Sequence, residues 1–462
     1  MFKTIKNIHF IGIGGAGMSG IAIVLHNLGY LVTGSDLKHS EVIHDLEKMG
    51  IKVSIGHLAE NVSSAHVAVY SSAVGNKNVE IIEAKKKKIP VIPRAEMLAE
   101  IARLKYAITI AGTHGKTTTT SLLSQVLDEA DLDPTIIVGG KLKSLGSGAK
   151  LGYGEYLVAE ADESDGSFLK LSPTITLVTN IDNDHMDYYQ SFEKLKDAFL
   201  KHINAVPFYG FSVLCIDDPV INVLLPLIQR KYVTYSVKNS ADYTAKNIIN
   251  NKNSTTFTVF KNNKSLGQIE LNLFGIHNVS NALGVAACAS ELGIDIKAIS
   301  KALKKFSGVG RRLEFIGEKE GVYYFDDYAH HPTEITATVS ALRERYPKKR
   351  IVCVFQPHRF SRTQLLYNEL AESLKNIDVL FLTEIYAAGE NKIDRVSSEL
   401  IKRALERKGK NIRIIDLNDA EKDIINELKE GDVFLTMGAG NINKFNLHLF
   451  DDKEHKFQVV ED

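Results

Sequence analysis

The chain has 462 residues, 44% hydrophobic and 24% charged, and its 56 Lys and Arg balance 56 Asp and Glu to a formal net charge of +0. At ~150 residues per domain this length suggests about three domains. Neutral charge, 33 Gly and only 10 Pro exclude a surface-wide field for nucleic acid, an acidic tail, and a disordered or collagenous chain.

In chain order, short β-branched runs alternate with amphipathic helical stretches, the signature of α/β domains. The N-terminal apolar run is broken by His9 and a string of glycines, so it reads as a strand entering a loop and not as a signal peptide. Strands follow at YLVTGS and HVAVYSS, and the block closes with IPVIPRAEMLAEIARL, a proline-punctuated strand leading into a helix. Directly after the first strand, GIGGAG sets Gly12, Gly14 and Gly17 in G-x-G-x-x-G spacing, with Gly15 between them. Glycines there let the backbone approach a diphosphate, and the next helix offers unpaired N–H donors and a positive dipole end. Asp36 ends the second strand, where a dinucleotide enzyme holds a ribose hydroxyl. From these residues alone three readings stay open: NAD, another nucleotide diphosphate, or plain packing of strand on helix. The four lysines at 85–88 end an amphipathic pattern and read as a solvated helix face.

The second block opens with the strand YAITI and the loop AGTHGKTTTT. Gly112, Thr113, His114, Gly115, Lys116, Thr117 and Thr118 lie here, in a G-x-x-G-K-T pattern that is shorter than the standard phosphate loop. Its parts are intact: backbone N–H groups to cradle phosphates, Lys116 to neutralise charge, and the Thr117 hydroxyl to ligate Mg2+. The strands EYLVAEA and TITLVTN each run into an acidic cluster, AEADESD and NIDNDHMD. In an open parallel sheet the ligand crevice lies outside the strands' carboxyl ends, so the loops of Lys116, Glu160 and His185 can converge. A hard carboxylate with an imidazole suits a second divalent ion; solvated acidic turns are the bland alternative. Between about 208 and 275 the Asn- and Lys-rich texture predicts antiparallel hairpins added to this block. In HNVSNA, Asn278 and Asn281 read either as purine contacts or as helix caps.

A third block follows GVGRR, with strands at VYYFDDY, RIVCVFQ, IDVLFLTE, IRIIDL and DVFLTMG. FDDYAHHPTE carries Asp326, Asp327, Tyr328, His330 and His331; FQPHRFSRT carries His358, Arg359 and Arg362, and GVGRR carries Arg311 and Arg312. Arginine forks bind carboxylate or phosphate bidentately, and Arg359 and Arg362 share a face if helical. Adjacent histidines do not face one another, so a joint metal site at His330 and His331 is not expected. Blocks are placed at 1–107, 108–309 and 310–462. Cys215, Cys288 and Cys353 are too scattered for a CxxC pair, which fits a reducing cytoplasm. No apolar run is long enough for a membrane span, so neither membrane insertion nor nucleic-acid binding is expected.

Together these segments resemble the Mur ligases of bacterial peptidoglycan synthesis. GIGGAGMSGIA, SSAV, IPVIPRAEMLAE, GTHGKTTTT, AEADESDGSF, TNIDNDHMDYY, GIHNVSNALGVAA, GVGRR, DDYAHHPTE, QPHRFSRT and GAGNI fall in that family's order over nearly the whole chain. GIGGAGM, DDYAHHP and QPHRFSRT single out its alanine-adding branch. The resemblance implies an α/β fold of three domains: Rossmann-like at the N-terminus, a central P-loop ATPase-like domain with antiparallel hairpins, and a Rossmann-like C-terminal domain. It implies that the first loop, with Gly12, Gly14, Gly15, Gly17, Asp36, Ser71 and Ser72, holds the uridine diphosphate of UDP-N-acetylmuramate and not NAD.

By matching position, residues 112–118 with Asn278, Asn281 and Arg312 serve ATP, and Thr117, Glu160 and His185 serve magnesium, two ions, with manganese as a substitute. Tyr328, His330, Arg359 and Arg362 match the alanine end. The implied reaction is ATP-driven: the lactyl carboxylate becomes an acyl phosphate that L-alanine attacks, with Lys116, Glu160 and His185 catalytic. The base that takes the amine proton is His330, with Asp326 or solvent as alternatives. The carbamylated lysine of several Mur ligases has no confident counterpart among Lys194, Lys196 and Lys201. A monomer–dimer equilibrium belongs to the same expectation.

Overall fold

A computed structural model of the chain describes residues 5–71, 73–139, 148–251 and 254–451. Among them the strands form three sheets. The first contains β1 (Asn7–Ile11), β2 (Leu31–Asp36), β3 (Lys52–Ile55), β4 (Val67–Tyr70) and β5 (Val91–Pro93), all parallel, in the order β3-β2-β1-β4-β5. Side chains alternate along β1: Ile8 and Phe10 join Met18 and Ile21 of the helix Ala16–Asn27, while Ile11 joins Ile81 and Ala84 of the helix Val79–Lys86. A strand covered on both faces has to be apolar on both, hence the unbroken run in IHFIGI. Strand β3 has no counterpart among the predicted elements, because its residues are half-exposed and carry little apolar signal.

The second sheet holds β6 (Tyr106–Ala111), β7 (Thr135–Ile137), β8 (Ala149–Lys150), β9 (Tyr156–Glu160), β10 (Ile175–Val178), β11 (Phe211–Cys215), β12 (Tyr232–Ser236), β13 (Tyr243–Asn250), β14 (Thr255–Lys261) and β15 (Lys264–Leu271). Its order is β15-β14-β13-β12-β11-β10-β6-β9-β7-β8, which puts β6 between β9 and β10. The loops after these three strands therefore leave the same sheet edge side by side. Strands β11, β12 and β13 still pair in parallel, and on this side of the sheet the antiparallel pairing begins with β13 and β14, while at the opposite edge β7 and β8 also pair antiparallel. Asn262 and Asn263 turn β14 into β15 with φ of 49° and 64°, the backbone a two-residue hairpin requires.

The third sheet has β16 (Glu314–Lys319), β17 (Val322–Asp327), β18 (Ile351–Phe355), β19 (Val379–Leu382), β20 (Arg413–Ile414) and β21 (Val433–Met437), in the order β16-β17-β21-β18-β19-β20. Only β16 is antiparallel to its neighbour. The strand expected in IRIIDL shrinks to two residues.

Residues 1–273 with 278–309 form one compact unit, which contains the first two sheets, and 274–277 with 310–462 form another. All three cysteines are buried and free. Among the described residues no helix is long and apolar enough to cross a membrane.

Candidate active site

The glycine loop after β1 folds back on the end of β2. Gly12 takes φ 80°, and a Cβ there would lie 3.2 Å from Ser71 Cβ. Gly12 and Ile13 donate their N–H groups to the Ser35 carbonyl (2.9 and 3.0 Å), Gly14 donates to Asp36 Oδ2 (2.8 Å) and Gly15 to the Gly12 carbonyl (3.4 Å). The expected phosphate cradle is thus largely consumed by the loop itself. What the helical ladder leaves for an anion are the first N–H groups of the helix Ala16–Asn27, at residues 16 and 17. Asp36 braces the loop, its Oδ1 also taking the Leu37 N–H (2.8 Å), and each oxygen keeps a second lone pair for a ribose hydroxyl. Ser72 lies outside the described residues.

Beneath the loop, Ser35 donates its hydroxyl to Glu80 Oε2 (2.6 Å). Glu80 is fully buried and also accepts from Asn61 Nδ2 (2.5 Å) and the Leu58 N–H (3.3 Å), with His57 Nδ1 at 3.2 Å. Burial alone would raise its pKa, but His9, whose Nε2 stands 3.7 Å away, and the hydrogen bonds from Ser35 and Asn61 outweigh that and hold it down at about 2. The sequence pattern gives no hint of this buried carboxylate.

The phosphate loop leaves β6, and the helix Lys116–Glu129 starts from Gly115 in the left-handed region, φ 82°. A Cβ on Gly112 would lie 2.1 Å from Thr179 Oγ1, and one on Gly115 would lie 2.9 Å from Asn281 Oδ1. Neighbouring strand ends stitch the loop in place. The His114 N–H donates to Asn180 Oδ1 (2.9 Å), the Thr113 N–H to the Asn180 carbonyl (3.1 Å), and Thr179 Oγ1 to the His114 carbonyl (2.6 Å). His114 Nε2 stands 3.0 Å from Asp182 Oδ2. Asn278 and Asn281 lie buried inside the helix Ile276–Glu291, beyond its capping position, so the capping alternative drops out and Asn281 faces the loop.

Lys116 Nζ donates to both oxygens of Glu163 (2.8 and 2.7 Å) and to the Gly112 carbonyl (2.6 Å). Burial alone would lower the lysine's pKa, but Glu163 and Asp162 outweigh it and hold it above its ordinary value. Burial pushes the Glu163 carboxyl up to about 7 against the pull of Lys116. His185 Nε2 is 3.6 Å from Glu163 Oε1. Glu160, at the end of β9, accepts the Gly139 N–H (3.1 Å) and adds to the negative field on Lys116. The carboxylate touching both Lys116 and His185 is therefore Glu163, three residues beyond the Glu160 to which the pattern points. Two carboxylates and the Thr117 hydroxyl offer hard oxygen donors suited to magnesium or manganese, with the imidazole as a borderline nitrogen donor. Lys194 and Lys196 instead pair with Gln190 (2.7 Å) and Glu193 (2.9 Å) along the helix Phe192–Asn204.

In the second unit, Arg311 and Arg312 lie over the Tyr328 ring, 4.9 and 5.0 Å from its centroid. Arg311 also donates to the Gly440 carbonyl (2.8 Å) and to Asp326 Oδ2 (3.3 Å). Asp326 is 1% exposed and accepts from Thr436 Oγ1 (2.6 Å), so it is committed to the core and not available as a base. Asp327, raised to about 6 by burial against the pull of Arg312, takes the N–H groups of Leu313 and Ala329 (2.7 Å each). His331 caps the helix Pro332–Arg345 in a capping box with Glu334. His330 turns away from it, Nδ1 2.9 Å from the Tyr328 carbonyl and its ring 5.4 Å from that of His358.

A guanidinium only donates, so the 3.1 Å contact from Arg362 Nη1 makes His358 Nδ1 the acceptor. Arg359 corrects the same-face expectation. It is the N-cap of the helix Phe360–Leu374 with φ 68° and ψ 140°; its carbonyl accepts the Thr363 N–H (3.2 Å), but its own backbone is not helical, so the condition for a shared face is not met. Its Nε is buried and meets no hydrogen-bond partner among the described residues.

Parallel sheets with glycine loops at their carboxyl ends, one continuing into a Lys-Thr helix start ringed by carboxylates, define an α/β protein built for phosphate-bearing ligands. The chain belongs to the Mur ligase family. Residues 7–106 match its catalytic domain, 110–289 its middle domain and 311–440 its glutamate ligase domain. The chain is 52% identical over 445 residues to a UDP-N-acetylmuramate–L-alanine ligase of Endomicrobium trichonymphae, covering 96% of this chain and 98% of that one. Among solved structures it is similar to the UDP-N-acetylmuramate-alanine ligase of Thermotoga maritima, with TM-score 0.83 and 30% identity over 97% of this chain and 99% of that one. It is also similar to a murein peptide ligase of Psychrobacter arcticus, with TM-score 0.73 and 25% identity over 96% and 98%.

Proposed function

We propose that this chain is an ATP-dependent ligase that joins the lactyl carboxylate of UDP-N-acetylmuramate to L-alanine in the making of peptidoglycan precursors. The observation that carries the reading is near-full-length identity of 52% to a relative named for that reaction. The Lys116–Glu163–His185 cluster supports it. The structural likeness is also higher to an alanine ligase, TM-score 0.83, than to a peptide ligase, 0.73. Labour divides by block: residues 1–107 take the UDP-sugar, 108–309 take ATP, and 310–462 take the amino acid.

In the first step the carboxylate attacks the γ-phosphate of ATP, ADP leaves, and an acyl phosphate forms. That step needs alignment and charge neutralisation more than covalent help. Lys116 supplies a fixed positive charge at the loop, and Asn281 stands where the nucleotide passes Gly115. Thr117, Glu160, Glu163 and His185 would hold magnesium, two ions in all, which supplies further neutralisation of phosphate charge. In the second step the alanine amine attacks the acyl carbon and phosphate leaves. His330, oriented by the Tyr328 carbonyl, takes the amine proton. Arg359 and Arg362 meet the alanine carboxylate, and Arg312 meets phosphate. Three buried free thiols fit work in the cytoplasm.

The test is phosphate release from ATP with UDP-N-acetylmuramate, across L-alanine, glycine, L-serine and a tripeptide. Release that requires both the sugar nucleotide and L-alanine supports the ligase. Release from ATP alone makes the chain a simple ATPase, and preference for the tripeptide makes it a peptide ligase.

A further inference from the structure

The N–H groups of the glycine loop that would ordinarily receive a diphosphate are already bonded, to Ser35, Asp36 and Gly12. A dianion in this crevice then has only the first turn of the helix Ala16–Asn27 and needs a cation beside it. The structure provides one. Arg94 opens the helix Arg94–Ala102, directly after β5. Its guanidinium lies against the backbone of Gly17: a Cβ at residue 17 would fall 2.2 Å from Nη1 and 3.1 Å from Cζ. The third glycine of the fingerprint is therefore what lets an arginine reach the start of the helix.

That placement is unfavourable by itself. The helix start carries about half a positive charge, which opposes a cation there. One contact compensates: Arg94 Nη2 meets Asp162 Oδ2 at 3.3 Å, with both side chains partly open to solvent. The guanidinium N–H groups that Asp162 does not take thus lie at the same helix start as the backbone N–H groups of residues 16 and 17.

We propose that Arg94 is a binding residue for the diphosphate of the sugar nucleotide, with Asp162 aiming its fork and Gly17 making the room. The inference rests on the UDP-sugar reading above. Arginine suits the task because its planar fork meets two phosphate oxygens at once, which lysine does not.

The test is calorimetric titration of UDP-N-acetylmuramate into the full chain, unaltered and as Arg94→Ala, Arg94→Lys and Gly17→Ala, with ATP titrated in parallel. Loss of a charge-assisted hydrogen-bond pair should raise the Kd of Arg94→Ala for UDP-N-acetylmuramate about 10- to 100-fold. Arg94→Lys should recover only part of that affinity. Gly17→Ala should weaken binding in the same direction, because its methyl takes the place of the guanidinium. This variant also covers the case in which Arg94→Ala fails to fold, since alanine is a better helix former than glycine. ATP affinity should stay within about twofold throughout. Unchanged Kd for UDP-N-acetylmuramate in Arg94→Ala and Gly17→Ala overturns the proposal. Equal loss of ATP and sugar-nucleotide affinity also overturns it, since Arg94 would then be a strut. If the unaltered chain binds no uridine nucleotide, the functional reading itself fails, before any variant is compared.

Discussion

Replacing Glu80 by glutamine tests whether a buried carboxylate holds up the glycine loop. Its pKa falls from 4.5 to about 2 in the folded chain. At about 1.4 kcal/mol per unit, that shift corresponds to about 3 kcal/mol of stability. A depressed folded pKa contributes fully above the unfolded value and is lost as pH falls through the folded one. The contribution should therefore be level from neutral pH down to about 5 and decline between about 4.5 and 2. At about pH 3.5, roughly 1.4 kcal/mol of it is gone. Glu80→Gln keeps the shape and one acceptor, but it places an amide against the Ser35 hydroxyl and the Leu58 N–H. The gap between the two proteins should narrow with acid by the amount just given. Urea unfolding followed by tyrosine circular dichroism suits a chain with no tryptophan. Hydrogen exchange at the Gly12 and Ile13 amides, which donate to the Ser35 carbonyl, localises the effect. A variant as stable as the parent at neutral pH, or a gap that does not change with acid, would refute the reasoning.

Three further outcomes follow from the site. Lys116→Ala should abolish ATP-dependent phosphate release while UDP-N-acetylmuramate still binds, and calorimetry that finds both nucleotides lost together would sink the two-site scheme. Gly115→Ala forces a left-handed backbone on alanine, at about 1–2 kcal/mol, and drives its Cβ to 2.9 Å from Asn281 Oδ1. The KM for ATP should rise about tenfold or more while that for alanine holds, and an unchanged ATP KM would remove Asn281 from the nucleotide's path. Arg359→Ala should raise the alanine KM far more than the ATP KM; initial rates at varied alanine decide it, and unaltered alanine kinetics would exclude the role.

Glycine spacing and the Lys-Thr pair made the two nucleotide loops legible, because their steric needs are written in residue type. Gly112 and Gly115 sit where a side chain would collide with Thr179 and Asn281. Which acid serves was not legible. AEADESD offers Glu160, Asp162, Glu163 and Asp165 within six residues, and only the turn after β9 decides that Glu163 meets Lys116. The donors that Ser35 and Asp36 take from the glycine loop are equally silent in a one-dimensional pattern, and so is the return of Arg94 to Gly17 from across the sheet. The i, i+3 reading of Arg359 and Arg362 held only if both were helical, and that condition is not met, because arginine gives no warning of a left-handed backbone. Strand β3 escaped because half-exposed residues lack alternation.

That backbone at Arg359 bears on any attempt to make this enzyme hardier. A φ of 68° with ψ of 140° suits glycine and strains any other residue by roughly 1–3 kcal/mol. Arg359→Gly should therefore melt later than Arg359→Ala, even though both discard the same guanidinium. Redesign guided by thermal tolerance alone would choose glycine at this position early and disarm the amino-acid end in doing so. The conformation is tolerable to an evolving lineage only while the side chain it carries earns its keep.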